Sequence, residues 1–425
     1  MSPAGVRRLP ALLLLLACSP SAPAQVLFPK ALDYTLRAQS SVQTNSNPAK
    51  LASNGPQAGS GATLVNTIGL AARIPLLSDD TRLDIAGVTG DARFTDQPRL
   101  DYQPRMLNAA LHWRAGRLLA GRLGYQYRRT RYDANRIWPD SDTVDDRGLD
   151  AEIGLRPSED LTLPVLRVFD QKARYETTGN RTLFDRNTRG WEISARYQRT
   201  TGTTAALGFR QADTRYPLRY QLERSGLDDE YRDRELYAET NWQYSVKTGV
   251  YARLGLLQRD YAHYPERNTR LLTLDAQVTW QYSPKTYLHL KTWQHPYSDD
   301  QDPDILYSIR RGIGLSVRWR PTVKTSLSLL ADYERQNDKS LTGNDVLNHR
   351  TQYGSRLSWQ VNPNLSLSLD GFRVDLDSDA PWNRYRQNVV RFGINLTTGS
   401  GNPEVERMFS PAECRWTYVE SELCP

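Results

Sequence analysis

The sequence predicts an all-β fold: a transmembrane, antiparallel, up-and-down β-barrel of about 18 strands (16–18), with short periplasmic turns and long extracellular loops. Three observations support this fold class. An aromatic residue recurs at a nearly fixed interval before a short polar turn, the segments between turns alternate apolar and polar residues, and the connections alternate between short and long. Together they describe hairpins whose strands have one face in lipid and the other in water.

The recurring aromatic residue marks one end of each hairpin. Trp242, Trp280, Trp319 and Trp359 are 38, 39 and 40 residues apart, and each stands just before a turn. Tryptophan and tyrosine concentrate where the apolar core of a membrane meets water. The predicted interface aromatics are Trp113, Tyr197, Trp242, Trp280, Trp319 and Trp359.

Alternating segments that are long enough to cross a bilayer lie between the turns. Leu272–Trp280, Gly312–Trp319 and Thr325–Tyr333 each place apolar side chains at one parity and small, polar or charged side chains at the other. This pattern keeps the mean hydropathy low, at −0.64, although one face of each strand is in lipid. No apolar stretch of about 18 residues follows the N-terminal segment, which excludes a helical membrane protein.

The connections give the strand count. Eight short turns pair sixteen strands, one further strand begins near residue 32, and another ends near residue 397. An even number of strands leaves both chain ends in the periplasm. The weakest strands are Leu161–Tyr175, which contains Pro164, and Asn364–Leu376. In the second, the apolar parity changes near Gly371, and we expect a β-bulge there.

The chain divides into a signal peptide (1–24), the barrel (25–398) and a C-terminal tail (399–425). Arg7 and Arg8 precede a short apolar run and small residues, as in a secretory signal. Cleavage after Ala24 is one interpretation, and acylation of Cys18 in a lipoprotein box is the other. Either interpretation predicts export from the cytoplasm and a final place in the bacterial outer membrane.

The tail after residue 398 has no alternating pattern. It contains Cys414 and Cys424, which we expect to form a disulfide in an oxidising periplasm. Three interpretations of the tail stay open: a periplasmic appendage, a plug folded back under the pore, or a disordered segment.

The parity opposite the apolar one is predicted to line a water-filled lumen. Acidic side chains occur there at the same depth as basic ones, so the row is mixed in charge. Arginine rows could bind carboxylates or phosphates; alternatively, the charges neutralise one another across strands. The pore-lining candidates are Arg122, Arg128, Arg196, Arg210, Lys291, Arg318, Arg356 and Arg391.

Signals of an enzyme or of a metal site are absent from the sequence. The five histidines form no HExxH spacing, and no GxSxG elbow occurs. The acidic run Asp299–Asp304 lacks the glycine and the terminal glutamate of an EF-hand loop. The formal net charge of +7 is spread along the chain without a basic patch, which argues against nucleic acid. We therefore predict no enzymatic activity, no cofactor, no metal and no nucleic-acid partner.

Three hairpin units carry a resemblance to a known family. Trp280–Leu288, Trp319–Leu327 and Trp359–Leu367 each run from the aromatic residue through a short turn into the next strand. They resemble outer-membrane β-barrels encoded with exopolysaccharide synthesis genes, the EpsL-like porin family, best from about Arg232 to Thr397. The resemblance implies a passive conduit for export of an exopolysaccharide. As partners it implies outer-membrane lipid, the polysaccharide itself, and periplasmic and inner-membrane components that synthesise and export it.

Two alternatives remain beside the export conduit. A general or sugar-selective uptake porin would have a long loop folded into the lumen, and Arg215–Glu230 is the best candidate for that loop. A periplasmic β-propeller scaffold lipoprotein would explain the period near 40 residues. A propeller blade, however, needs four short strands per repeat, whereas each repeat here divides into two long ones.

Overall fold

The structure, a computed structural model, describes residues 32–52, 60–78, 81–132, 142–176, 180–199, 202–219, 228–297, 305–340 and 343–409. The predicted signal peptide (1–24) lies outside the described residues. Cys18 and the predicted disulfide pair, Cys414 and Cys424, also lie outside them.

The described part of the chain forms 18 antiparallel strands in one closed sheet. Each strand pairs with the next one along the chain, and the first strand pairs with the last from Thr35↔Gly399 to Asn45↔Val389. The predicted fold class is thereby confirmed. The strands are β1 Asp33–Asn45, β2 Gly61–Ser78, β3 Thr81–Phe94, β4 Arg105–Ala115, β5 Leu119–Tyr132, β6 Asp142–Leu155, β7 Leu161–Tyr175, β8 Arg186–Gln198, β9 Thr204–Arg215, β10 Glu230–Ser245, β11 Thr248–Tyr261, β12 Thr269–Ser283, β13 Thr286–Tyr297, β14 Ile305–Trp319, β15 Thr325–Ser340, β16 Val346–Asn362, β17 Leu365–Ser378 and β18 Tyr385–Gly399.

The two faces of the sheet differ as the alternation predicts. Large apolar side chains project outward, and Ile68, Leu207 and Leu256 are 59%, 60% and 63% exposed. An exposed apolar belt of this kind is stable only against lipid. The inward face carries the polar and charged partners of the same strands. The strands are 11 to 18 residues long, so the propeller alternative, with its short blade strands, is wrong.

Short turns at one end of the barrel join neighbouring hairpins to each other. The Lys285 side chain donates a hydrogen bond to the Pro321 carbonyl at 3.1 Å, and Lys324 donates to the Val361 carbonyl at 3.4 Å. The long loops lie at the opposite end. One period of about 40 residues therefore corresponds to two strands, one short turn and one long loop.

Two strands test the local predictions. In β7 the pairing with β8 shifts between Thr162 and Val165, around Pro164, which has no N–H to donate to the ladder. The bulge expected at Gly371 in β17 is wrong, because that residue pairs regularly with Ser355 on one side and with Val390 on the other.

The change of apolar parity in β17 instead marks an exchange of faces near the long-loop end. Phe372 and Val374 point inward, where they form a buried cluster with Val389. Between them, Arg373 points outward and binds Asp375 at 2.7 Å. The strand keeps its register, but its inner face becomes apolar and its outer face charged once it leaves the lipid belt.

Within the described residues, helical structure is confined to short segments. One α-helix, α1 Pro403–Glu406, follows the last strand and continues into a 3₁₀ turn, Arg407–Phe409. Among the described residues, no helix has the length and apolar character needed to cross a membrane. The other 3₁₀ turns are Pro98–Leu100, Asn180–Phe184, Pro265–Arg267 and Pro381–Asn383.

Candidate functional site in the barrel lumen

The eight pore-lining candidates all lie at positions opposite the outward apolar parity. Most of them pair with a carboxylate that faces the same way. Arg196 binds Glu152 at 3.1 Å, Lys291 binds Asp332 at 3.5 Å, and Arg122 binds Asp150. Arg128 lies 3.8 Å from Asp146. Both Arg356 and Arg391 bind Asp370. Arg318 also lies on the inward parity of its strand. Neutralisation across strands therefore accounts for much of the charged wall.

Arg210 differs from the other candidates. Its guanidinium lies 4.9 Å from the centre of the Phe169 ring, and no carboxylate of the described residues lies within ion-pair distance of it. Cation–π contact of this kind leaves the positive charge in place.

Glycine residues in the inward rows let side chains meet across an intervening strand. At Gly314 in β14, a Cβ atom would come within 1.9 Å of Asp332 Oδ1, so only glycine leaves room for the Lys291–Asp332 pair. At Gly312, a Cβ atom would lie 2.3 Å from the Trp293 ring, whose Nε1 donates to Glu334 at 2.9 Å. These two side-chain pairs connect β13 to β15 across the inward face of β14.

A polar recess in the wall formed by β1 and β16–β18 is the strongest candidate for a solute site. Its cavity volume is ≈ 160 Å³, and its lining includes Arg37, Arg356, Arg391 and Asp370. Asp370 is 1% exposed. It accepts hydrogen bonds from Arg356 Nε at 2.6 Å and from Arg391 Nε at 2.8 Å. Several serine side chains complete the lining, Ser358 and Ser368 among them.

The charges of the recess do not balance. Three guanidinium groups surround the one carboxylate of Asp370. Arg37 forms no ion pair within the described ranges, and its buried Nε atom has no hydrogen-bond partner there. An anion with several oxygen acceptors, such as a carboxylate, would satisfy these donors because guanidinium groups bind it through paired hydrogen bonds.

Arg37 is absent from the candidates drawn from the sequence, although the pattern contains a signal for it. In β1, Arg37, Gln39 and Ser41 lie at the parity opposite Leu36, Ala38 and Val42, so all three take the inward parity. The candidate set considers each strand by itself, whereas closure of the barrel pairs β1 with β18 and brings Arg37 into one recess with Arg356 and Arg391.

Long loops fold inward at the extracellular mouth. Phe184, at the end of a 3₁₀ turn, is fully buried against Val144 and Tyr175, which have the inward parity. The loop after β9 packs beside it, because Arg219 donates to the Leu183 carbonyl at 3.0 Å. The guanidinium of Arg219 also lies over Tyr216, 3.4 Å from its ring centre. The described part of Arg215–Glu230, the loop predicted to fold inward, thus packs on its neighbours inside the mouth.

A tyrosine cluster extends this narrowing. The rings of Tyr216, Tyr231, Tyr261 and Tyr307 follow one another at centroid distances of 6.3, 5.8 and 6.3 Å. Two strands of the sheet separate β11, which carries Tyr261, from β14, which carries Tyr307. Arg259 stacks on Tyr231 at 4.0 Å. The cluster is buried, so it shapes the mouth and offers little free ring surface.

One cluster of potential metal ligands occurs in the described ranges: Asp228, Asp229 and His263 at the extracellular side. The His263 ring lies 2.9 Å from Asp228 Oδ1 and 3.1 Å from Asp229 Oδ1. The hydrogen bond between His263 and Asp228 raises the pKa of His263, and the negative charges of Asp228 and Asp229 raise it further. Burial would raise the pKa of Asp228, but hydrogen bonds from His263 outweigh it and lower that pKa. An ion pair between imidazolium and carboxylates accounts for this arrangement.

The predicted interface aromatics lie at the short-turn end and on the outward parity. Tyr197, Trp242, Trp280, Trp319 and Trp359 are between 42% and 50% exposed. Trp242 and Trp280 each meet a tyrosine two residues later, edge to face, at 5.2 Å. Trp113 is less exposed and lies against Gly121.

Comparisons with known proteins agree with this architecture. A family model described as "Putative beta-barrel porin 2" matches residues 245–398. No curated protein matches the chain. Similar solved structures include OccK2 (OpdF) of Pseudomonas aeruginosa, with a TM-score of 0.51, 11% identity, and coverage of 88% of this chain and 99% of that one.

Two further solved structures are of the same kind. OccK2 (OpdF) of Pseudomonas aeruginosa in complex with glucuronate gives a TM-score of 0.50 at 12% identity, covering 87% of this chain and 98% of that one. A BenF-like porin from Pseudomonas fluorescens Pf-5 gives 0.50 at 10% identity, covering 88% and 100%. The chain therefore has the barrel fold of outer-membrane porins.

Proposed function

We propose that the protein is an outer-membrane diffusion channel for small anionic solutes, which bind transiently in the Arg37–Arg356–Arg391 recess. The observation that carries this proposal is the excess of three guanidinium groups over one carboxylate around a lumen cavity. A barrel of about 18 strands leaves an aqueous lumen. Positive charge on its wall raises the local concentration of anions.

The shape of the lumen favours small solutes over a polymer. Loops pack inward at the extracellular mouth around Phe184 and Tyr216, and the segment after β18 packs inward at the other end around Val405. The sequence resemblance suggests a conduit for exopolysaccharide. The inward loops and the likeness to porins favour the uptake alternative instead.

The comparisons also suggest a probe. OccK2 of Pseudomonas aeruginosa has been solved with glucuronate, a sugar acid with one carboxylate and several hydroxyl groups. That chemistry suits the recess, in which guanidinium groups lie beside serine hydroxyls. We therefore choose glucuronate as the test anion and glucose as its uncharged counterpart.

The test is single-channel recording on the full mature chain in a planar lipid bilayer. We expect steady current steps with anion selectivity, and glucuronate is expected to interrupt the current at concentrations at which glucose does not. Arg37→Gln is expected to weaken block by glucuronate roughly tenfold, because it removes a charged hydrogen bond of about 1.5–3 kcal/mol in a wet site.

Arg210→Gln is the matched control. It removes one inward positive charge away from the recess, at a residue that stacks on Phe169. Equal effects of the two substitutions would mean that general lumen charge, and not the recess, sets the affinity. Block by an acidic polysaccharide but not by glucuronate would favour the export conduit. No current steps from the folded protein would overturn the channel proposal.

A further inference from the structure

The chain turns back into the barrel after its last strand. Ser400 N donates to the Tyr34 carbonyl at 2.8 Å, and the Asn402 side chain donates to Asp33 at 2.8 Å. Asn402 also caps α1, because its side chain accepts a hydrogen bond from the Glu404 N–H at 3.0 Å. We call residues 402–409 the inward segment.

Apolar contacts hold the inward segment against the lumen wall. Val405 is 0% exposed and Phe409 is 2% exposed, and they form one buried cluster with Ala71 of β2 and Ala86 of β3. At Gly69, a Cβ atom would lie 2.7 Å from the Phe409 ring. Small residues on the inward parity of β2 and β3 thus leave a hollow that the two side chains fill.

Charges align the inward segment with the same strands. Glu404 binds Arg73 of β2, which also binds Asp84 of β3 at 3.0 Å. The hydrogen bond from Arg73 lowers the pKa of Glu404. Glu406 exerts an attractive interaction on Arg37, the guanidinium that lines the recess. The inward segment also contacts β1 through Asp33, and β1 is the strand that contributes Arg37 to the candidate solute site.

We infer that the inward segment is a docked internal barrier that narrows the periplasmic half of the lumen next to the recess, and that its undocking opens a wider conducting state. This inference rests on the proposed channel function. Its physical basis is the small number of contacts, since two apolar side chains, one ion pair and the hydrogen bond from Asn402 to Asp33 hold the segment. Such a contact permits two states of the lumen, docked and undocked, without any change in the barrel.

The test compares two double variants in single-channel recordings. Val405→Ser with Phe409→Ser removes the apolar contact without adding charge. Pro403→Ser with Arg407→Gln is the matched control, because both residues belong to the same segment but are exposed, and neither is part of the buried cluster. We expect the first variant to raise the ratio of large to small current steps roughly a hundredfold, because two buried side chains are lost. The control is expected to stay near the wild-type ratio.

A reversible lock provides the second arm. Ala71→Cys with Val405→Cys, in a chain whose own cysteines are replaced by serine, places two thiols in one buried cluster. Oxidation is expected to abolish the large step, and a reductant is expected to restore it. Unchanged steps in the serine variant and in the oxidised pair would overturn the barrier. Absence of current in every protein, wild type included, would instead overturn the channel function on which it rests.

Discussion

Single residues in the lumen divide into paired and unpaired charges. Asp370 is the one carboxylate of the recess, and it accepts hydrogen bonds from both Arg356 and Arg391. Its negative charge offsets the repulsion between these two guanidinium groups. Arg37 forms no ion pair in the described ranges, and its buried Nε atom has no hydrogen-bond partner there. Under the proposed function, the partners of each arginine, and not its residue type, therefore separate Arg37 from Arg356 and Arg391.

His263 leads to a prediction about pH at the extracellular surface. Its pKa is raised by Asp228 and Asp229, so this ion pair contributes stability that is fully present below the unfolded value of about 6.5 and is lost as the pH rises through the raised pKa. The lowered pKa of Asp228 adds stability that is present above its ordinary value of 3.8 and is lost as the pH falls. The pair is therefore strongest in mildly acidic solution.

The measurement is an NMR titration of the imidazole groups in the detergent-solubilised protein. The His263 signal is expected to titrate above about pH 6.5, and Asp228→Asn is expected to return it toward that value. A His263 titration that Asp228→Asn leaves unchanged would contradict the assigned cause.

At the scale of the element, glycine in an inward row decides whether two strands can touch across a third. Gly312→Ala must displace the Trp293 ring, which lies 2.3 Å from the added Cβ position, and must break the hydrogen bond to Glu334. Overpacking of this kind costs about 1–3 kcal/mol. We expect the midpoint of denaturant-induced unfolding to be lower than in the wild type. The midpoint can be measured from the different gel mobilities of the folded and unfolded forms.

Gly371→Ala serves as the comparison for that substitution. Gly371 is also a strand residue, but no atom lies within 4 Å of its added Cβ position, so its midpoint is expected to stay close to that of the wild type. Equal midpoints for Gly312→Ala and the wild type would show that Trp293 moves without loss.

The sequence predicts the individual strands, but it does not predict how side chains pack on their inner face near the long loops. The prediction for Leu161–Tyr175 matches the bounds of β7, although the pairing of this strand shifts around Pro164. The bulge expected at Gly371 fails because the alternation rule holds only within the lipid belt. Beyond it, loops cover the inner face, and Phe372 and Val374 turn inward to meet other buried residues.

At the scale of the whole molecule, the outer face of the barrel contacts lipid and the inner face contacts water. Consecutive residues of one strand are therefore expected to differ in how well they tolerate a charge. Leu315 is 44% exposed on the outer face, and Ser316 follows it on the inner face. Leu315→Arg is expected to cost about 2–4 kcal/mol, as expected for a charge at the middle of a bilayer. Ser316→Arg is expected to cost much less, because its charge enters water.

Urea titration of the protein in lipid vesicles would measure both free energies of unfolding. A similar loss for the two arginine variants would contradict the assignment of the two faces. A larger loss of unfolding free energy in Ser316→Arg than in Leu315→Arg would mean that the outer and inner faces of the strand are exchanged.

The candidate site depends on long-range closure, which the sequence does not encode locally. Six of the eight pore-lining candidates pair with a described carboxylate that lies one or two strands away in chain order. Arg37 joins Arg391 only because the first strand pairs with the last. The inward packing of Val405 and Phe409 on β2 and β3 likewise joins residues more than 300 positions apart, and no periodicity predicts it.

Closure of the ring also determines where the barrel would come apart. β1 and β18 are the one pair of neighbouring strands in the sheet that are not consecutive along the chain. No turn or loop therefore limits their separation. The chain crosses this junction from β18 and fastens itself to Asp33 on β1, Arg73 on β2 and Ala86 on β3. Any separation of β1 from β18 must therefore also break these contacts, so the end of the chain reinforces the junction that closes the ring.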